Sequence, residues 1–393
     1  MSFSEQFTAL PLAEWIAKAE RATEVDVRSA LVSAKRSPLD FAALISPAAS
    51  RSREPMAREA HALTVKHFGR VMRLFAPLYV SNECVNICKY CGFSRDNPIL
   101  RVTLSVEQVT AEARHLASEG FRNVLLVAGE HPKFVSPGYL AECVAIIRAG
   151  GIPSVHIEVA PMEAEEYQPI VAAGAEGLVV YQETYDRKIY SEMHEAGPKK
   201  NFGWRMEAPE RGYAAGFRRI GVGALLGLAP WREEAIALAA HVDYLLRQCW
   251  RAQITVALPR LRPAAGEFHP RHQISDRELT QLICALRLTF PKIGIVLSTR
   301  EPASLRDGLA RLGVTMMSAG SHTEPGGYTG AGKAELHRTE KGNKMIPIAG
   351  DRAGEQFEIS DTRSPVEVSA RLRTIGYETV WKDWDDELCT NYK

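Results

Sequence analysis

Residues 105–130 read SVEQVTAEARHLASEGFRNVLLVAGE. The first sixteen space their apolar positions as a helix does. Ser105 and Gln108 make a capping-box pair at the start, and Gly120 stands where a helix should stop. The next run, NVLLVAGE at 123–130, is too short for a helix and ends on a glycine and an acid, as a buried strand does at the rim of a sheet. A helix handing over to such a strand is part of a βαβ unit. Similar apolar runs stand at 77–82, 154–161, 177–184, 219–228, 254–261, 294–301 and 314–321, with amphipathic stretches between them. Eight strands alternating with helices predict an α/β chain closed into a (β/α)8 barrel of the TIM type, from about residue 75 to 322.

The flanks read differently. Residues 1–74 carry helical spacing at 12–34 and 57–75, separated by the polar break SPAASRSREP at 46–55, and predict an N-terminal helical extension. Residues 323–393 open on the Gly-rich EPGGYTGAGK and hold one more helical pattern at 364–377; they are expected to form a C-terminal cap segment. Lys and Arg number 48 against 47 Asp and Glu, so the charge balance gives no reason to expect nucleic acid as a partner. No apolar run approaches membrane-spanning length, and the first twenty residues lack the basic-then-apolar order of a leader, so a cytoplasmic protein without a membrane partner is expected.

Three of the seven cysteines, Cys84, Cys88 and Cys91, fall within SNECVNICKYCGF at 81–93, just past the first predicted strand. The other four, Cys143, Cys249, Cys284 and Cys389, are scattered singly, unlike a disulfide framework. Barrel chemistry gathers at the C-terminal strand ends, and three thiolates spaced C-x3-C-x2-C there suit an iron–sulfur cubane with its fourth iron left open. A structural zinc with a distant His, or three buried thiols without metal, are the alternatives. Zinc usually takes two paired motifs, and no second C-x2-C is present.

This spacing, with Tyr90 directly before the last cysteine, resembles the radical S-adenosylmethionine (SAM) superfamily. The resemblance implies a [4Fe-4S] cluster whose open iron chelates SAM and whose electron cleaves it to a 5′-deoxyadenosyl radical. It also implies cofactor contacts at Tyr90; at Gly129 and Glu130 of VAGE, where Ala128 replaces the usual first glycine; at Gln182 and Glu183 of YQET; and at Arg205 of FGWRMEAPERGYAAGF. A surface arginine paired with Glu207 or Glu210 is the alternative for Arg205, and a solvated loop acid the alternative for Glu130.

The segments SNECVNICKYCGFSRDN, LLVAGEHP, LSTRE, MSAGSHTEPGGY and YETVWKDWD, in that order, resemble the tyrosine lyases of thiamine biosynthesis, the 2-iminoacetate synthases. What this implies is Cα–Cβ cleavage of L-tyrosine to p-cresol and 2-iminoacetate, which passes to thiazole synthase, with reduction by a donor such as flavodoxin or ferredoxin. A hydrogenase-maturation tyrosine lyase would carry further cysteines near its C-terminus, where WKDWDDELCTNYK offers only Cys389. A tryptophan lyase shares the barrel, and a non-catalytic iron–sulfur carrier is the reading from another class. The substrate carboxylate needs a cation and hydrogen bonds. Ser318 and Arg363 are the expected catalytic clamp, with Ser321 beside them. Arg300 is a further candidate that could instead bind Glu301 or Glu324; Arg363 could instead pair with Asp361.

Overall fold

The eight apolar runs are eight parallel strands in the computed structural model, which describes residues 2–340 and 344–381. They are β1 (Val71–Ser81), β2 (Asn123–Ala128), β3 (Ser154–Glu158), β4 (Gly177–Val179), β5 (Arg219–Gly223), β6 (Gln253–Ala257), β7 (Gly294–Leu297) and β8 (Met316–Ser318). Each pairs with its neighbours in sequence, and β8 returns to β1, with Arg73 opposite Met316 and Phe75 opposite Ser318. The barrel is therefore closed, as the alternation predicts. Ser105 and Gln108 do form the capping box of the helix Val106–Ser118, and Gly120 follows its end at φ 99°. Val80, Leu126, Ile157 and Val222 lie at 1% exposure or less, because both faces of a parallel strand are covered.

Two boundaries differ from the sequence reading. The residues VMRLF at 71–75, read as the end of a helix, are the first half of β1; the helix Arg53–Phe68 stops at Gly69, whose φ of 70° a helix cannot continue. The pattern at 12–34 is two helices, Leu12–Arg21 and Glu24–Val32, because Thr23 breaks the run and caps the second with Asp26. The break at 46–55 holds the 3-10 turn Ala48–Ser52.

The tail does more than cover the mouth. Gln356 and Phe357 line the pocket at the strand ends. The helix Pro365–Thr374 then leads back to a short strand, Glu378–Val380, paired with the N-terminal end of β1. Most of the segment WKDWDDELCTNYK, Cys389 included, lies outside the described residues.

Candidate active site

The loop after β1 is folded by its own polar groups. Buried Arg101 donates to the carbonyls of Asn82 (2.6 Å), Phe93 (3.2 Å) and Ser94 (2.7 Å), so one side chain gathers both ends of the cysteine loop. Asn97 Nδ2 donates to the carbonyls of Cys91 (3.0 Å) and Gly92 (2.9 Å). Gly92 itself donates to Gln356 O at 3.0 Å, and a Cβ there would stand 2.3 Å from Glu355 O, so the tail packs directly on the loop.

Cys88 is buried, and Cys84 and Cys91 are half-buried. Burial first, and then the neighbouring thiols, push the Cys88 and Cys91 sulfhydryls above the ordinary thiol range, opposed by Lys199. Thiols held this way give up their protons only to a cationic centre. No group of three His, Cys, Asp or Glu side chains among the described residues converges on one ion. Three thiols on one loop suit the separate corners of a cubane. Cys143, Cys249 and Cys284 are each buried elsewhere.

Around the cysteine loop stand residues expected to meet the cofactor. Tyr90 lies in an apolar cluster with Cys88, Met193, Leu225 and Leu228. His194 Nδ1 faces the Tyr190 carbonyl at 2.8 Å, so its Nε2 accepts from the Tyr90 hydroxyl at 2.7 Å. Glu130 accepts from Asn86 Nδ2 at 2.6 Å, and its carbonyl accepts from Val85 N at 2.8 Å, which ties it to the cysteine loop rather than to solvent. Gly129 is required by close approach, since a Cβ would lie 2.2 Å from Glu83 O.

Glu183 has φ 71°, a left-handed conformation that costs a non-glycine residue about 1–2 kcal/mol. It turns its carboxylate to Lys199 Nζ (2.8 Å) and Arg205 Nη2 (3.3 Å). Burial alone would raise this carboxyl, but Lys199 and then Arg205 hold it below the usual carboxylate range. Arg205 also donates from Nε to Tyr181 O at 2.7 Å, so it is an inward residue and not a surface partner of Glu207 or Glu210. Gln182 is buried beside this group: its amide donates to Phe202 O at 3.2 Å, at the start of the short helix that carries Arg205, and its Oε1 has no partner among the described residues.

Beside the cysteine loop lies a pocket lined by Tyr79, Leu125, Val127, Glu158, Tyr181, Arg300, Ser318, Ser321 and Phe357. Tyr79 and Val127 share an apolar cluster with Phe93, against which Cys84 and Cys91 pack, so pocket and cysteine loop share a wall. The Tyr79 hydroxyl donates to Gln356 Oε1 at 2.8 Å. Ser318 Oγ accepts from Thr299 N at 3.0 Å, leaving its own proton to give. Ser321 is 4% exposed and its hydroxyl has no partner among the described residues.

The two arginines proposed for substrate part company here. Arg300 lines the pocket, with its guanidinium carbon 3.3 Å from the ring centre of Phe357. Arg363 lies outside it. Asp361 holds it bidentately (2.9 and 2.7 Å) and Asp307 takes Nη1 at 3.1 Å. Four residues of the site escaped sequence reading: Lys199, Glu158, Tyr79 and Tyr181. Tyr181 was legible as the first residue of the YQET run; nothing in PKKN marks Lys199.

Residues 78–240 match the radical SAM superfamily, and residues 257–378 match the biotin and thiamin synthesis associated domain. The 2-iminoacetate synthase of Salmonella typhimurium is 39% identical over 367 residues, 93% of this chain and 92% of that protein. That of Escherichia coli is 37% identical over 388 residues, 98% of both. The X-ray structure of the FeFe-hydrogenase maturase HydG from Carboxydothermus hydrogenoformans superposes with a TM-score of 0.86 at 31% identity, covering 97% of this chain and 86% of that one. The chain is thus a radical SAM enzyme and belongs to the 2-iminoacetate synthase family.

Proposed function

We propose that the chain cleaves the Cα–Cβ bond of L-tyrosine, giving p-cresol and 2-iminoacetate for thiazole formation in thiamine biosynthesis. The observation that carries this is the pocket itself. A half-buried arginine with no acceptor among the described residues and a buried serine with no partner among them share a cavity walled by Tyr79, Tyr181 and Phe357, against the cysteine loop. A carboxylate satisfies both polar groups, and aromatic walls suit an aromatic side chain.

The cysteine loop and the Glu183, Lys199 and Arg205 group would hold a [4Fe-4S] cluster and SAM, which together supply a hydrogen-abstracting adenosyl radical. The chain's own residues do the rest. Arg300, Ser318 and Ser321 anchor the α-carboxylate, and the tail residues Gln356 and Phe357 close the pocket against water. A flavodoxin or ferredoxin is the proposed electron donor and thiazole synthase the proposed recipient of the imine. No helix among the described residues is long and apolar enough to cross a membrane.

The test is anaerobic reconstitution with iron and sulfide, then incubation with SAM, reductant and tyrosine. p-Cresol and glyoxylate, the hydrolysis product of 2-iminoacetate, are expected without carbon monoxide or cyanide. Carbon monoxide would place the chain with the hydrogenase maturases, and turnover of tryptophan alone would make it a tryptophan lyase.

A further inference from the structure

Along β3 the side chains alternate, so His156 and Glu158 point to the same side of the sheet two residues apart. His156 lines the deeper cavity and Glu158 the mouth pocket. Most of the buried charges around them are paired. Glu176 faces His156 (3.4 Å) and Arg219 (3.7 Å) below. At the mouth Glu183 has Lys199 and Arg205, Glu301 has Arg260, and Asp361 has Arg306 and Arg363.

Glu158 and Arg300 break this pattern. They line one pocket, yet among the described residues neither lies within ion-pair or hydrogen-bond distance of a charged side chain, nor of the other. Burial pushes the Glu158 carboxyl up to about 7, with Glu183 adding to it and Arg300, Arg205 and Lys199 opposing. Burial likewise lowers the Arg300 guanidinium, partly countered by Tyr79 and Glu158. Both side chains are half-buried, and an unpaired charge held away from bulk water is costly. Two opposite ones, close enough to feel each other and too far apart to pair, leave a gap for a ligand that carries both signs.

We propose that Glu158 binds the α-ammonium group of the amino-acid substrate, so that Glu158 and Arg300 read its zwitterionic head between them. This rests on the reading of the pocket as an amino-acid site and adds the residue that recognises the amino group. It also orients the substrate. With the carboxylate on Arg300 and the nitrogen on Glu158, two substituents of Cα are fixed and the aromatic ring is directed along the Tyr79 and Tyr181 walls.

Reconstituted enzyme with SAM but no reductant is dialysed against labelled tyrosine, tyramine, which lacks the carboxylate, and 3-(4-hydroxyphenyl)propionate, which lacks the amino group. In Glu158→Gln, affinity for tyrosine and for tyramine should fall roughly ten- to a hundredfold, as for a lost charged hydrogen bond. Affinity for the propionate should not fall. Glu158→Asp should recover part of the loss, and iron content and melting temperature report that both variants are folded and loaded.

Unchanged tyrosine affinity in Glu158→Gln, or an equal loss for the propionate, overturns the proposal. So does loss of the preference for tyrosine over phenylalanine with amine recognition intact, which would put Glu158 on the phenol. If wild type binds tryptophan and not tyrosine, the proposed function fails. The same comparison with tryptamine and indole-3-propionate then decides the role of Glu158 on its own.

Discussion

Arg300 and Arg363 make opposite predictions, and substituting each by methionine separates them. Arg300→Met removes a guanidinium that has no acceptor among the described residues but keeps an apolar side chain against Phe357. Tyrosine affinity should fall by about 1.5–3 kcal/mol, the range of a charged hydrogen bond. The unliganded protein should become more stable, not less. Relief of an unpaired buried cation amounts to several kcal/mol, and losing the contact with the Phe357 ring takes back about 1–2 kcal/mol. A net gain of about 1–2 kcal/mol is expected. Arg363→Met should leave tyrosine affinity alone and cost about 1–2 kcal/mol of stability, since it removes a partly exposed pair with Asp361 and Asp307 while Arg306 still holds Asp361. Equilibrium dialysis of the reconstituted enzyme gives the affinities, and urea midpoints at constant slope give the stabilities. A tenfold loss of tyrosine affinity in Arg363→Met with none in Arg300→Met would refute the assignment.

Cys84→Ala, Cys88→Ala and Cys91→Ala should each abolish iron uptake, measured by metal analysis after reconstitution, whereas Cys143→Ala, Cys249→Ala and Cys284→Ala should retain it. Phe7 packs on Tyr185 and Phe202, with ring centres 5.9 and 6.3 Å away, and these residues flank Glu183 and Arg205. Phe7→Ala should therefore lower stability by about 3–5 kcal/mol and weaken SAM binding while leaving iron content unchanged, which calorimetry and SAM titration would show. Glu234 accepts from Thr184 Oγ1 (2.6 Å) and Tyr185 N, and burial pushes its carboxyl from 4.5 up to about 7. The folded state then keeps a proton that the unfolded chain loses, so stability present below pH 4.5 is lost as pH rises through about 7, by at most about 3 kcal/mol. Because Glu158 shares that window, the comparison belongs in a Glu158→Gln background, where adding Glu234→Gln should flatten denaturation midpoints measured between pH 5 and 8.

The barrel was legible because its signals are local and repeated: a capping box, a glycine stop and an apolar run ending on polar residues need only neighbours along the chain. The three cysteines were legible for the same reason, their spacing being the motif itself. The start of β1 was missed because Val71–Phe75 continues the apolar count of the preceding helix, and only the backbone at Gly69 separates them. Glu183 was legible as a candidate, but the positive φ behind its turn to Lys199 and Arg205 was not, because residue type does not announce it.

The substrate arginines show where local reading stops. Each has an acid close by in sequence, Glu301 beside Arg300 and Asp361 two residues before Arg363, so each looks equally able to be neutralised at home. The fold decides otherwise. Glu301 is taken bidentately by Arg260 from the end of β6, with Arg262 at 3.5 Å. Glu324 accepts from Thr323 N (2.9 Å) and faces His322. Both acids that could have quenched Arg300 are therefore occupied, and it lines the pocket with no ion-pair partner among the described residues. Asp361 has no such competitor strong enough to release Arg363: it binds Arg306 and Arg363 together. Which arginine lines the pocket is thus decided by acids that never touch it, through long-range pairings that span 41 residues in one case and 55 in the other.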